Sequence, residues 1–441
     1  MAGDIPKLEI RAVIHVATSM YRLTGLPLMA KAAVVAAVGV VALSPPVTLG
    51  AGAQAGQSVS LHVEETTGIR RTRYPVNARV PFPQGALARA DQVRLLRDDE
   101  EIPAQFSAGS HWPDGSVQWL RVDFNVSIGP QETRAYRVEY GPGVSAEAGP
   151  GRGLALVEDA DAIQVGRVTF SKTAAPLFRS VSYRGEVIGP GRNGFAVEDT
   201  DGTAYELGGD TGVLFEIIRG GPLYVELRYS GRVLLAAGAE VPFVVRVEMP
   251  NSKSWVKVTA SVDDPEQRLR ALSFHSPLAL GPRPWVWDFG TDRWTYGSLR
   301  NEDSSVVLTN DVEVGGETGW HVDTGPKGQE RPYETTGSTR PVVAGWGHLQ
   351  GETEVVAFAM DRFASAPGTY RIALDGAGQA SFHVAPATPV TRHRLTVYQH
   401  FVGAPVQIGA ATSPPSMLHP LVARVDPAHY VASGLEPPAD R

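Results

Sequence analysis

Tyr74 to Phe124 reads YPVNARVPFPQGALARADQVRLLRDDEEIPAQFSAGSHWPDGSVQWLRVDF. Val93 and Leu95 alternate with Gln92 and Arg94, and Ile102, Ala104 and Phe106 alternate with Pro103 and Gln105. A period of two sends apolar side chains to one face of a sheet, so both runs are expected as β-strands. Between them Asp98, Asp99, Glu100 and Glu101 make a solvated loop. Pro113-Asp114-Gly115 combines a preset φ, a side chain that bonds its own backbone and a residue that tolerates positive φ. That predicts a turn with Gly115 at φ > 0. Beyond it Val117 and Trp119 fall on one face, whereas Leu120, Val122 and Phe124 fall on the other. The switch requires a bulge near Trp119 or burial of both faces.

Outward from this stretch, Glu132 to Tyr140 alternates again, and Gly141 to Gly153 is rich in Gly, Pro and Ala, the composition of a linker. Beyond it strand texture recurs at Ala162 to Phe170, Leu177 to Tyr183, Val213 to Ile218, Leu223 to Tyr229, Pro242 to Met249 and Trp255 to Val262. Phe243, Val245, Val247 and Met249 alternate against Val244, Arg246 and Glu248, one dry face and one wet, as in an antiparallel sandwich. Helix signals are confined to Asp264-Pro265-Glu266 and Asp426-Pro427. Thr318 to Arg340 alternates poorly and is expected as a long loop, with strand texture returning from Val342 to Met360. In the other direction Lys31, the apolar run Ala32 to Leu43 and Ala53-Gln54-Ala55 have the layout of a secretory signal peptide ending before Gly56. The run is shorter than the about 20 residues a membrane span needs. The long leader before Lys31 points to Met20 or Met29, rather than Met1, as the start. The expected organisation is a leader and signal peptide over 1–55, a small β-domain over 56–140, a linker over 141–153 and a larger antiparallel β-sandwich over 154–441. The fold class is all-β, and the protein is expected to be secreted.

The 441 residues are 43% hydrophobic and 20% charged, enough to bury a sizeable core. A formal charge of −7 with no long basic run argues against nucleic acid as a partner. With no cysteine there is no disulfide, thiolate metal site or cysteine nucleophile. Gly189-Pro-Gly191-Arg-Asn-Gly194 matches G-x-G-x-x-G in letters only, because a strand-like FAVED follows where a helix would receive a phosphate. Asp199-Thr-Asp201-Gly202 lacks the remaining acids of a calcium loop. No cofactor and no metal are expected.

The quoted stretch carries a resemblance. VPFPQGAL, QVRLLRD, IPAQF and WPDGSVQWLRVDF resemble the amino-terminal RIFT-type β-barrel of the exo-rhamnogalacturonan lyase (YetA-like) family. The likeness sharpens again at GWGHLQGETEVVAFAMDRF (Gly345 to Phe363) and HPLVARVDPAHYVASG (His419 to Gly434). It implies a RIFT-type barrel over 56–140 followed by the family's central β-sandwich. The family continues into an (α/α) toroid that forms much of its cleft, whereas this sequence runs only to LEPPADR. The resemblance therefore implies oligosaccharide as partner, for a carbohydrate-binding or accessory protein with little or no lyase activity by itself, or alternatively for an active rhamnogalacturonan or uronate lyase acting by β-elimination, with its site wholly on the sandwich or completed by a separate helical chain.

Five of the eight tryptophans, Trp285, Trp287, Trp294, Trp320 and Trp346, crowd between 285 and 346, interleaved with Arg293, Tyr296, His321 and Tyr333. Flat aromatic platforms rimmed by polar groups suit sugar rings, so Trp285, Trp287, Trp294, Tyr296 and Trp320 are the expected carbohydrate-binding residues. The competing expectation is that the tryptophans close the ends of a sandwich core. Elimination from a uronic acid needs a cation, a base and an acid, roles that Arg293, His321 and Tyr333 fill chemically although nothing in their spacing brings them together. A third possibility is a structural or protein-interaction module, which predicts buried tryptophans and no charged cleft.

Overall fold

The computed structural model describes residues 57–437 apart from 184, 210–211, 237, 254, 292–293, 316–317, 337–342, 364 and 405–412. The leader, the signal-peptide pattern and Arg293 lie outside the described residues. The protein is nearly all β, with antiparallel sheets.

Seven strands build the first part: β1 (Gln57–Glu64), β2 (Arg71–Pro81), β3 (Val93–Arg97), β4 (Glu100–Ile102), β5 (Ala104–His111), β6 (Val117–Ile128) and β7 (Thr133–Tyr140). β1, β7, β3 and β4 hydrogen-bond in that order, and β2, β6 and β5 form a second sheet facing them. Val59, Leu61, Val76, Val80, Val93, Val122, Phe124 and Val138 fill the space between. This is the RIFT barrel. The expected turn is present: Gly115 has φ +85°, its N–H donates to the Trp112 carbonyl, and Asp114 accepts from the Ser116 backbone and hydroxyl. The face switch near Trp119 is absorbed in β5, whose pairing with β6 shifts register between Ala108 and Ser110 and again before His111. Gly109 is the bulged residue.

The second part opens with a four-stranded sheet, β8 (Leu156–Glu158), β9 (Ala162–Val165), β10 (Val168–Ser171) and β11 (Phe178–Val181). The strands that follow are β12 (Gly194–Asp199), β13 (Ala204–Glu206), β14 (Leu214–Arg219), β15 (Tyr224–Leu234), β16 (Glu240–Pro250), β17 (Trp255–Asp263), β18 (Leu269–Pro277), β19 (Trp285–Gly290), β20 (Trp294–Leu299) and β21 (Ser304–Val312). After them come β22 (Thr318–Pro326), β23 (Arg331–Thr336), β24 (Trp346–Gln350), β25 (Glu354–Met360), β26 (Gly368–Asp375), β27 (Gln379–Pro386), β28 (Arg392–Gly403) and β29 (Val422–Val425). Among the described residues β12 to β28 form an eight-stranded sheet, β13-β12-β18-β27-β26-β21-β22-β23, and a nine-stranded sheet, β14-β15-β16-β17-β28-β25-β24-β19-β20. Val245, Val247, Val258, Phe274, Phe358, Phe382 and Val397 lie in the core shared by the two, which makes the sandwich.

Two expectations are corrected. Thr318 to Arg340 is not a long loop: β22 and β23 occupy most of it, with Trp320 and Val322 inward and His321 outward. Too few apolar positions flanked by glycines hid the alternation. Asp264-Pro265 opens no helix; Asp264 instead accepts from the Arg268 and Leu269 N–H groups in a turn. Asp426 does cap a helix, Pro427–Ser433, which Gly434 ends at φ +68°.

The outer face of the nine-stranded sheet is partly roofed by the barrel. Trp255, Ala359, Trp346 and Tyr398 project from it into the barrel's core cluster, together with Met417 of the short helix Ser413–Leu418. β29, far along the chain, pairs antiparallel with β1 and so adds an edge to the barrel sheet.

Candidate functional site

Tryptophans 285 and 287 stand two apart on β19 and point the same way, into the sandwich core, where they are 3% and 2% exposed. Trp320 on β22 is likewise inward and 3% exposed. A ring with no solvent-facing surface cannot stack on a sugar, so the expectation of a platform at Trp285, Trp287 and Trp320 is overturned. These residues close the sandwich. The core side of Gly297 lies under the Trp287 indole, where a Cβ would collide with it. Trp294 sits at the start of β20, and its side chain lies outside the described residues.

The catalytic candidates do not converge. His321 points outward from the eight-stranded sheet with Nε2 at 3.4 Å from Asp323. Tyr333 is half exposed, its ring edge-on to Trp287 and its hydroxyl donating to the Tyr296 carbonyl at 2.9 Å. Its proton is already placed. Arg293 lies outside the described residues.

Tyr296 differs from the buried Trp285, Trp287 and Trp320. It projects from the outer face of β20 and is 58% exposed. Antiparallel pairing puts Asp288 opposite Tyr296, His348 opposite Asp288, Ala357 opposite His348, and His400 opposite Ala357. One row of side chains thus crosses five strands on one face. Asp288 Oδ1 accepts from the His348 backbone N–H at 2.9 Å and lies 2.8 Å from His348 Nδ1. A carboxylate at Nδ1 fixes the proton there and leaves Nε2 as an acceptor. That Nε2 is buried and has no hydrogen-bond partner. Trp346 stands edge-on to the imidazole with ring centroids 5.7 Å apart, and its indole fills the space over Gly290. His400 is a neutral neighbour: burial, helped by Lys253 and His348, pushes its pKa down to about 3. An exposed phenol ring and a half-exposed carboxylate in one row can meet the apolar face of a ligand and accept its hydroxyl hydrogens, with His348 orienting the carboxylate while its own Nε2 is buried.

Asp288 and His348 escaped the sequence reading. The available signal was the alternation of WVWDFG and WGHLQ, in which Asp288 and His348 occupy the positions opposite in parity to the core residues Trp287, Phe289 and Leu349.

A second concavity lies on the barrel's outer sheet. Arg79 of β2 pairs with Arg121 of β6, and Pro81 with Trp119. Arg79, Arg121, Trp119, Gly109 and Ser110 line a groove of about 220 Å³. Where the same sheet meets the sandwich, Arg219 of β14 donates to Asp123 of β6 at 2.9 Å and to Glu226 of β15 at 2.8 Å. Among the described residues no group of three or more His, Asp or Glu side chains is placed to hold a metal ion, and no helix is long and apolar enough to cross a membrane.

Residues 64–140 match the family model described as the PcRGLX-like N-terminal RIFT barrel domain. No curated protein matches the chain. Among solved structures, a protein in the glycosyl hydrolase family 38 from Enterococcus faecalis is similar over 84% of this chain and 47% of its own, at 8% identity and a TM-score of 0.50. The alpha-N-acetylgalactosaminidase NagBb from Bifidobacterium bifidum is similar over 57% of this chain and 36% of its own, at 16% identity and a TM-score of 0.36. The chain thus spans about half or less of these two structures, and at such identities the likeness to the first concerns the fold alone.

Proposed function

We propose that this protein is a secreted carbohydrate-associated protein that binds oligosaccharide on the outer face of the nine-stranded sheet, at Tyr296, Asp288 and His348. The observation that carries the reading is the exposed Tyr296 ring standing in register beside the Asp288–His348 pair. An aromatic face for the C–H side of a sugar, next to a half-exposed carboxylate that His348 orients and that accepts from its hydroxyls, is a chemical match for a saccharide. The barrel match and the sandwich shared with a glycosyl hydrolase family 38 protein support the same substrate class. Export is supported by Lys31, the apolar run and Ala53-Gln54-Ala55.

A second reading is favoured by one feature, the partnerless Nε2 of His348. A base oriented by a carboxylate is what proton abstraction in β-elimination needs, so a uronate lyase with His348 as base, its Nε2 uncovered by movement of the side chains that bury it, is the alternative. A glycan-array screen of the purified chain, followed by titration of the best ligand into Tyr296→Ala and Asp288→Asn, tests the first reading. Binding should fall by about tenfold or more in both variants. Equal binding by all three proteins would sink it. Release of unsaturated uronate, followed by ultraviolet absorbance and abolished in His348→Ala, would establish the second.

A further inference from the structure

We infer that the outer face of the eight-stranded sheet carries a second site, which transfers the acyl group of small esters with acidic leaving groups to water, with Ser381 as nucleophile and His275 as its base. The inference goes beyond the sugar site at Tyr296, which lies on the other sheet, and borrows nothing from it.

Phe274 of β18 and Phe382 of β27 pair across the strands and fill the core, so Ser273, His275, Ser381 and His383 fall together on the opposite face. His275 and Ser381 are direct cross-strand partners, both half-buried, with His275 Nδ1 3.0 Å from the Ser381 hydroxyl oxygen. On its other side His275 Nε2 lies 3.0 Å from the Ser273 hydroxyl oxygen. The direction of both bonds follows from a count of hydrogens. Ser273 donates its single hydroxyl hydrogen to the Ala196 carbonyl at 3.2 Å, so towards His275 it can only accept. The imidazole proton therefore resides on Nε2, and Nδ1 keeps the lone pair that takes the Ser381 O–H. Burial, helped by Arg192 and His383, pushes the His275 pKa down to about 4, so the ring is a free base at neutral pH. A hydroxyl donating to a neutral imidazole whose tautomer a third group fixes is the arrangement that activates a serine.

The surroundings suit a developing negative charge. Ala373 of β26 stands opposite Ser381, so only a methyl group borders the hydroxyl on that side. Arg371, two residues along β26 on the same face, lies diagonally across from Ser381, within the reach of a long side chain. It is exposed, and its cross-strand neighbours are His383 and Thr309 rather than an acid. In the reaction Ser381 Oγ bonds to the ester carbonyl carbon while its proton passes to His275 Nδ1, and the charge that gathers on the carbonyl oxygen is met by Arg371. The bond to the alcohol oxygen then breaks, and the alcohol leaves with that proton. Water attacks the acyl-serine in the same way, giving a proton to Nδ1; the acid departs as Ser381 recovers its hydrogen. Ser273 touches no substrate and is a positioning residue. A base held so low drives proton transfer weakly, which favours esters with acidic leaving groups over amides.

The test uses the full chain, p-nitrophenyl acetate as substrate and a fluorophosphonate as covalent probe, which loses fluoride as a serine oxygen bonds to its phosphorus. Hydrolysis should be saturable, and peptide mass spectrometry should place the phosphonyl adduct on Ser381. Ser381→Ala should abolish the adduct and lower kcat/KM by about hundredfold or more, and His275→Gln should do the same. Arg371→Gln should lower kcat by about tenfold. Ser273→Ala releases the tautomer and should lower kcat by about tenfold at unchanged KM, while Ser273→Thr, which keeps the hydroxyl, restores it; a merely structural serine would move neither. Melting temperatures identify any variant that unfolds, and the adduct on the parent chain does not depend on them. An adduct on another residue, no adduct at all, or hydrolysis undiminished in Ser381→Ala would overturn the inference. Glycan binding at Tyr296 should be unchanged in Ser381→Ala, so the two sites stand or fall separately.

Discussion

At Gly115 the chain needs a conformation that an L side chain resists. The residue sits at φ +85° with nothing within 4 Å of where its Cβ would be, so a substitution there strains the backbone without any clash. Gly115→Val should lower stability by about 1–3 kcal/mol, read as a shift in the urea midpoint at constant slope. Pro113-Asp114-Gly115 made this legible, because turn chemistry is local. Glu65 shows the opposite case. Its buried carboxylate accepts from Thr67 N–H at 3.1 Å, Gly68 N–H at 2.8 Å and the Thr67 hydroxyl, and it faces Arg71 at 3.3 Å. Burial opposes the charge, but these hydrogen bonds win and pull the pKa from 4.5 down to about 2. A depressed carboxylate contributes stability in full above its unfolded value, and that contribution is lost as pH falls through about 4 towards about 2. Urea unfolding of Glu65→Gln beside the parent should show a gap that is full at neutral pH and narrows below about pH 4. A gap independent of pH would show that the carboxylate's charge is irrelevant. Nothing in VEETTG revealed this, since the partners that matter include Arg71 and, across the barrel, Gln131.

Strands show where a local pattern was present and its meaning was misjudged. In β19, Trp285, Trp287 and Phe289 recur at a period of two with Val286 and Asp288 between them, so the sequence already divided this strand into a core face and an outer face. Aromatic crowding suggested a platform because each tryptophan was weighed as a surface and not by its parity. Tyr296 has the opposite parity to Thr295 and Leu299, both buried, and it is exposed. The two rings should therefore behave differently. Trp287→Ala removes a core indole packed over Gly297 and against Tyr333, and should cost about 3–5 kcal/mol. Tyr296→Ala should stay within about 0.5 kcal/mol of the parent, as an exposed site does, and act on glycan binding instead. Thermal unfolding of the two variants side by side decides the assignment; an unchanged melting temperature for Trp287→Ala would return that ring to the surface.

Long-range pairing is what the sequence withheld. β29 joins β1 across most of the chain, and Tyr74 and Arg71 of the barrel both donate to the Ser416 carbonyl, at 2.8 and 3.3 Å. Periodicity states that a strand has a partner without saying which. The same holds for the junction of barrel and sandwich. Arg219 is buried between Asp123 and Glu226 and lies over the Tyr224 ring, while Glu248 takes Lys257 at 2.8 Å and the Tyr224 hydroxyl at 2.7 Å. Removing one member of a buried ionic group strands the others, so Arg219→Met should destabilise the molecule by about 3–5 kcal/mol and separate barrel from sandwich in unfolding. The pH dependence fixes the cause. Burial raises the pKa of Asp123 in the folded protein even with Arg219 opposing it, and without Arg219 it rises further. A folded carboxyl with a raised pKa binds its proton more readily than the unfolded one, so its ionisation costs stability as pH rises. The deficit of Arg219→Met against the parent should be largest at neutral pH and shrink towards acid, where Asp123 is neutral and needs no cation. Adding Asp123→Asn should recover part of the loss at neutral pH and little at low pH. A deficit that stays constant with pH, or that Asp123→Asn fails to relieve, would mean that Arg219 acts through its packing on Tyr224 and not as the counter-charge joining the two cores.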